Sequence, residues 1–147
     1  MIAPALPRRL IARETAISTV INGLMSLAFF LLIFGRQGPV AVWGPGNLAL
    51  DNVVQAFMIA LMSTLVPGAL LRRRLGLKGG RELLVRAAIT AVIASILAAG
   101  LAALVFAGGE IDALPWAGAL RFKLALGASV AAIVTPIGLT AIARVPR

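Results

Sequence analysis

Residues 65–76 read "LVPGALLRRRLG". An apolar run passes through Pro67 and stops at three consecutive arginines, Arg72, Arg73 and Arg74. On insertion scales, one arginine at the centre of a membrane helix costs about 2.5–3.5 kcal/mol. Three arginines in a row therefore mark the end of a hydrophobic helix and fix its position along the membrane normal.

The rest of the chain has the composition of a membrane protein. Hydrophobic residues make up 61% of the 147 residues and charged residues only 13%, against about 45–50% and about 25% in soluble domains. A helix crosses roughly 30 Å of hydrocarbon with about 20 apolar residues. Four charge-free runs reach this length: residues 15–34, 52–71, 87–109 and 124–143. We therefore predict an all-α, polytopic membrane protein whose four transmembrane helices form two tandem helical hairpins.

We expect one membrane domain over residues 1–147, with hairpins at 9–76 and 81–147. The first span could instead be a signal peptide, because Arg8, Arg9 and Arg13 precede it. It is longer than the apolar core of a signal peptide, which has about 7–15 residues. We therefore treat it as a transmembrane helix.

The basic residues are divided unequally between the two sides of these spans. Lysine and arginine near helix ends orient a membrane protein, with the richer side in the cytoplasm. One side carries Arg36, Arg121 and Lys123, and the other carries eleven basic residues: Arg8, Arg9, Arg13, Arg72, Arg73, Arg74, Lys78, Arg81, Arg86, Arg144 and Arg147. We expect a multi-pass protein of a bacterial inner membrane with both termini in the cytoplasm.

The net charge of +9 does not indicate nucleic acid as a partner. The basic residues flank hydrophobic spans, and no folded region remains to read a nucleic-acid groove. The expected partner is the lipid bilayer, since a basic residue beside the membrane gains about 1 kcal/mol near anionic headgroups. Candidate headgroup contacts are Arg72, Arg73, Arg74, Lys78 and Arg81, although these residues could serve orientation alone.

Two features recur in the two halves of the chain. The stretches that begin "RLIARETAIS" and "RELLVRAAIT" align at an offset of 72 residues with seven identities. Pro67 and Pro136 each lie near the end of an even-numbered span and are closely followed by a glycine. We predict an internal repeat of two hairpins with the same orientation, although proline is also common in membrane helices generally.

The first hairpin contains "LMSLAFFLLIFG" in its first helix and "LVPGALLRRRL" at the end of its second. With these features it resembles a family of small bacterial two-helix membrane proteins of unknown function. The resemblance covers residues 15–76, and the second half departs from it because "TPIGLTAIAR" has no arginine cluster. It implies the hairpin topology, here duplicated, and no activity.

The first helix carries a polar stripe. Thr15, Ser18, Thr19, Asn22 and Ser26 recur at helical spacing, and Glu14 precedes them. Small and hydroxyl side chains let membrane helices approach closely and hydrogen-bond to one another. We therefore expect packing, with a pathway for water, ions or a polar solute as the alternative. The third helix offers a matching face of small residues: Ala87, Ala91, Ser95, Ala98 and Ala99. We expect the polar stripe of the first helix to pack on this face.

Asn22 lies nine residues beyond Arg13, about 13 Å into the membrane. At that depth the second helix places Ser63 and Thr64. An unpaired amide in hydrocarbon costs several kcal/mol, so we expect Asn22 to hydrogen-bond to one of these two residues. The candidate polar seam is Glu14, Ser18, Thr19, Asn22, Ser26, Ser63 and Thr64.

A second polar group, Asp51, Asn52 and Gln55, opens the second helix at its outer end. Asp51 is expected to cap the helix or to act as a first-turn anion, with an outer binding site as the alternative. Trp43 and Trp116 lie in the two outer loops, where indoles anchor a chain at the headgroup level. Stacking on a ligand is the alternative for the tryptophans.

The chain has no cysteine, histidine or tyrosine and only five acidic residues, which are scattered. These residue types carry most acid–base, nucleophilic and metal chemistry, so we expect no enzyme, no cofactor and no metal site. We also predict no ionisable residue at mid-bilayer, unlike in carriers with a membrane carboxylate. Two classes remain: a non-catalytic scaffold or accessory subunit that binds membrane proteins or itself, and a small oligomeric transporter or channel for a polar solute or ion.

Overall fold

The computed structural model describes residues 7–76, 80–106 and 111–143. Its elements are α1 (Arg8–Phe34), β1 (Val40–Ala41), α2 (Leu48–Arg74), α3 (Arg81–Phe106), β2 (Ala113–Leu114) and α4 (Trp116–Ala143). The four helices have 26 to 28 residues, which corresponds to about 40 Å. All four are long and apolar enough to cross a membrane. The prediction of an all-α, polytopic membrane protein with four spans is confirmed.

Neighbours in the bundle differ from neighbours in sequence. The main packing pairs are α1 with α4, α4 with α2, and α2 with α3. The helices of each predicted hairpin contact each other far less, because α1 meets α2 only along a narrow seam and α3 barely touches α4. The central helices of the bundle are therefore α2 and α4, and α1 and α3 lie at its periphery.

The expectation that α1 packs on the small face of α3 is wrong. Ala91, Ala94 and Ala98 of α3 pack with Ala56 and Ala60 of α2. Two alanine-lined faces allow the closest approach of two helix backbones, so α2 and α3 pair with each other. Within the predicted face, Ala87 is also buried, Ser95 is half-buried and Ala99 is exposed.

At one end of the bundle, which we call the ribbon end, the two interhelical loops meet. β1 pairs antiparallel with β2, with Val40 opposite Leu114 and Ala41 opposite Ala113. The core below this ribbon includes Phe30, Val42, Leu48, Phe106 and Ala119. The opposite end, which we call the arginine end, holds the start of α1, the end of α2 and the start of α3.

Both tryptophans lie at the ribbon end, Trp43 in a loop as predicted and Trp116 as the first residue of α4 rather than in a loop. The indole nitrogen of Trp116 donates a hydrogen bond to the Gly35 carbonyl (3.0 Å), and its ring meets Phe30 edge-on at 5.6 Å. Trp43 is exposed and contacts Phe106 edge-on at 6.5 Å. Each tryptophan therefore combines an apolar contact with a position near the end of the spans.

Candidate functional site

Polar side chains from α1, α2 and α4 join in one network, which we call the polar network: Ser18, Asn22, Ser26, Asp51, Gln55, Ser63, Lys123 and Thr135. In its half nearer the arginine end, Thr135 donates to the Ser18 hydroxyl (2.9 Å), which lies 3.1 Å from that of Ser63. The Asn22 amide donates to Ser63 (3.2 Å) and to the Ser18 carbonyl (2.8 Å). The predicted hydrogen bond between Asn22 and Ser63 is thereby confirmed.

The second half of the polar network runs toward the ribbon end. The Ser26 hydroxyl donates to the backbone carbonyl of Asn22 (2.7 Å). The amide nitrogen of Gln55 donates to Ser26 (2.6 Å) and to the backbone carbonyl of Lys123 (3.3 Å). The Lys123 ammonium in turn donates to the carboxylate of Asp51. A continuous series of polar contacts thus follows the bundle from Thr135 to Asp51.

A glycine allows the three helices to meet at this point. A Cβ added at Gly127 of α4 would lie 2.5 Å from the Ser26 hydroxyl and 2.7 Å from the Gln55 amide nitrogen. Real Cβ atoms essentially never approach other atoms so closely. Gly127 therefore leaves the space in which the side chains of α1 and α2 cross over α4.

The network ends in a buried ion pair between Lys123 and Asp51. Lys123 is 1% exposed and Asp51 is 14% exposed. The ammonium also lies 5.8 Å from the centre of the Phe34 ring. A charge removed from water must be paired, and Asp51 provides the partner. The charge-free run predicts Lys123 just outside the fourth span, but it lies inside α4, two turns beyond Trp116.

Three members of the candidate polar seam do not join the polar network: Glu14, which lines the groove described below, Thr19 and Thr64. Thr64 is buried, but its hydroxyl donates to the Ala60 carbonyl of its own helix (2.8 Å) and its methyl group faces Gly138 of α4. Thr19 is half-buried and makes none of these bonds. One residue along α2 turns a side chain by about 100°, so Ser63 faces α1 whereas Thr64 faces α4.

The second predicted polar group is also divided. Asn47, not Asp51, caps α2, because its side-chain oxygen accepts the Leu50 backbone N–H (2.7 Å). Asp51 lies in the first turn and Gln55 one turn later, both in the polar network. Asn52 is fully buried, and its amide atoms have no hydrogen-bond partner in the described part of the chain. The three residues therefore form no common site at the outer surface.

A lateral groove of about 770 Å³ runs between α1 and α2 above the polar network. Ile17, Ile21 and Met25 form one apolar rim, and Met58, Met62 and Val66 form the other. Each of these six side chains is 42–54% exposed. Polar floor residues include Ser18, Asn22 and Ser63, and Glu14 lines the arginine end of the groove. The groove therefore presents apolar walls and a floor whose polar groups bond mainly to each other.

The basic residues proposed as headgroup contacts differ in exposure. Arg73, Arg74 and Arg81 are exposed at the arginine end. Arg72 is buried, with 8% of its surface exposed. Lys78 lies outside the described residues. Three of the five candidates are therefore available to lipid in the described structure.

The described residues include no group of three or more acidic side chains placed to hold a metal ion. The arrangement instead joins helices: hydroxyls, amides and one ion pair connect α1, α2 and α4. The chain matches no known protein-family model, no curated protein and no solved structure.

Proposed function

We propose that the protein is a non-catalytic scaffold or accessory subunit of the membrane, which binds another membrane protein or a second copy of itself through helix–helix packing. The polar network supports this proposal because its side chains already hydrogen-bond across three helices. Such bonds hold membrane helices in a fixed arrangement. The absence of cysteine, histidine and tyrosine from the chain supports a role without catalysis.

The observation that carries the proposal is the outward face of α3. Ala99, Gly100 and Ala103 are exposed there, next to Ile96, which is 64% exposed. A Cβ added at Gly100 would meet nothing within 4 Å. Glycine destabilises a helix by about 0.5–1 kcal/mol relative to alanine, and no contact among the described residues explains this cost.

A partner helix packed on this face explains the exposed glycine. Small residues four apart let a second helix approach closely in lipid, where packing and not hydrophobicity drives association. Ala99 and Ala103 have this spacing, and Gly100 lies beside them on the helix surface. Gly23 of α1 is also open, but it is half-buried, whereas Ala99, Gly100 and Ala103 are all exposed. We therefore place the partner on α3.

The test is copurification in a mild detergent. The variant Ala99→Leu/Ala103→Leu fills the proposed contact face. The control Ala16→Leu/Ala28→Leu makes the same change at two exposed alanines of α1. We expect the wild type and the control to retain a stoichiometric partner or a defined oligomer, and the α3 variant to lose it. Equal retention by both variants would exclude the α3 face.

A second candidate is a small oligomeric transporter or channel for a polar solute or ion. It is favoured by the continuous polar contacts from Thr135 to Asp51 and by the groove that opens beside them. In this case Asn22→Leu would abolish flux in proteoliposomes while leaving the protein folded. Solute flux by the wild type, without any stoichiometric partner, would replace the scaffold proposal with this one.

We further propose that the protein lies in a bacterial inner membrane with its arginine end in the cytoplasm. The eleven-to-three division of basic residues supports this orientation. The resemblance of residues 15–76 to a two-helix membrane family is compatible with this topology. The internal repeat stays a prediction from the sequence.

A further inference from the structure

Exposed arginines flank one mouth of the groove between α1 and α2. On α1, Arg13 lies four residues before Ile17, which lines the groove. On α2, Arg73 and Arg74 lie three and four residues beyond Leu70, the last lining residue of that helix. Residues three or four apart share one face of a helix. The three arginines are exposed and therefore lie where a headgroup would meet the groove.

We propose that this groove binds an anionic phospholipid, with the phosphate between these arginines and one acyl chain along the groove. The groove volume of about 770 Å³ falls within the range of roughly 300–1,000 Å³ for small-molecule sites. Its rims are formed by aliphatic and methionine side chains. Unbranched, flexible methionines such as Met58 and Met62 adapt readily to an irregular apolar ligand.

The floor of the groove is compatible with an acyl chain. Ser18, Asn22 and Ser63 lie beneath the half nearer the arginine end and hydrogen-bond to one another. Thr135 donates a further bond to Ser18. An apolar chain above these side chains displaces none of these bonds, because the hydroxyls of Ser18 and Ser63 and the amide nitrogen of Asn22 bond within the protein. This half of the groove therefore does not require a polar ligand.

Charge selects the arginine end for the headgroup. Arg13, Arg73 and Arg74 contribute +3 and Glu14 contributes −1, which leaves +2 at this mouth. At the other mouth, Lys123 and Asp51 neutralise each other. A basic residue near an anionic lipid increases its binding about fivefold. Phosphatidylglycerol suits this site in particular, because its glycerol hydroxyls can donate to the Glu14 carboxylate.

Native mass spectrometry in dodecyl maltoside with equal amounts of dioleoyl phosphatidylglycerol and dioleoyl phosphatidylcholine tests the proposal. We expect the full chain to retain phosphatidylglycerol preferentially. Arg73→Gln/Arg74→Gln should lower its retention about tenfold or more. The control Arg36→Gln/Arg121→Gln removes the same charge from two exposed arginines at the ribbon end, and should change retention less than twofold.

Two further results distinguish a groove site from general attraction to the basic surface. Met62→Trp fills the groove without changing charge, and should reduce phosphatidylglycerol retention as strongly as the arginine variant. Equilibrium unfolding in lipid-free dodecyl maltoside micelles checks that both variants fold. Glycerol phosphate without acyl chains should not compete. Equal loss in the control, unchanged retention in Met62→Trp, or competition by glycerol phosphate would each overturn the proposal.

Discussion

The buried ion pair between Lys123 and Asp51 predicts an unequal response to removal of either partner. Asp51→Leu leaves the Lys123 ammonium 1% exposed, with the face of Phe34 at 5.8 Å as its nearest described compensation. Breaking a buried pair in this way costs about 3–5 kcal/mol. Lys123→Met leaves Asp51, which is 14% exposed and borders the groove. Water can reach its carboxylate there, so we expect a smaller loss, about 2–3 kcal/mol.

Removing both charges should restore most of the stability. Well-packed apolar replacements of a buried pair are often neutral or stabilising. We therefore expect Lys123→Met/Asp51→Leu to unfold within about 1 kcal/mol of the wild type. The coupling energy from the double-mutant cycle should then be about 5–8 kcal/mol, the sum of the two single losses.

Equilibrium unfolding in mixed detergent micelles, followed by tryptophan fluorescence, measures these free energies. Trp116 suits this measurement because it lies at the start of α4 and its indole nitrogen donates to Gly35. Exposed membrane-edge pairs contribute little, as surface salt bridges do. A coupling energy below about 0.5 kcal/mol would show that the pair is hydrated and would refute the account of a desolvated pair.

Three further predictions concern packing, the polar network and orientation. Gly127→Ala should destabilise the protein by about 1–3 kcal/mol, because the new methyl group displaces Ser26 or Gln55. The control is Gly23→Ala, where an added Cβ meets nothing within 4 Å, and it should be neutral or stabilising. Equal losses of stability in the two variants would contradict the account. Asn22→Leu should lower the free energy of unfolding by only about 0.6–1.7 kcal/mol, since Ser63 keeps its bond to Ser18; a loss above about 3 kcal/mol would mean that Asn22 does more than pack. Alkaline phosphatase fused after Gly46 should be active and fused after Gly80 inactive, and the reverse pattern would overturn the proposed orientation.

The four spans were predictable because each depends on a large local effect. Arginines are excluded from the bilayer centre, so the end of α2 follows directly from Arg72 to Arg74. The hydrogen bond between Asn22 and Ser63 was predictable from depth alone, since antiparallel helices bring residues at equal depth together. It required no knowledge of which helices pack most extensively.

The ion pair could not be found in the same way. A charge-free run ends at its first charged residue. The run therefore predicts that the fourth span begins at residue 124, and it leaves Lys123 outside the span. α4 begins instead at Trp116. A lysine seven residues inside a helix, with an aspartate at the same end of another span, is a signal that a search for paired charges would detect.

Which helices pack against each other could not be predicted from the sequence. Alanine-rich faces occur on several spans, and one such face fits another almost equally well. The ribbon of β1 and β2 was also missed, because two-residue strands carry no periodicity. Both features depend on contacts between distant segments, for which local composition gives no information.

Disulfide trapping between α1 and α4 most directly tests the central claim, that the polar network joins α1 to α4 and α2 and not to α3. The chain has no cysteine, so two introduced thiols report on one pair without background. The hydroxyls of Ser18 and Thr135 lie 2.9 Å apart. In isolated membranes treated with a mild oxidant, Ser18→Cys/Thr135→Cys should form the disulfide rapidly and almost completely, whereas Ser18→Cys/Ser95→Cys should not. Rapid trapping of the second pair, or none of the first, would contradict the helix arrangement.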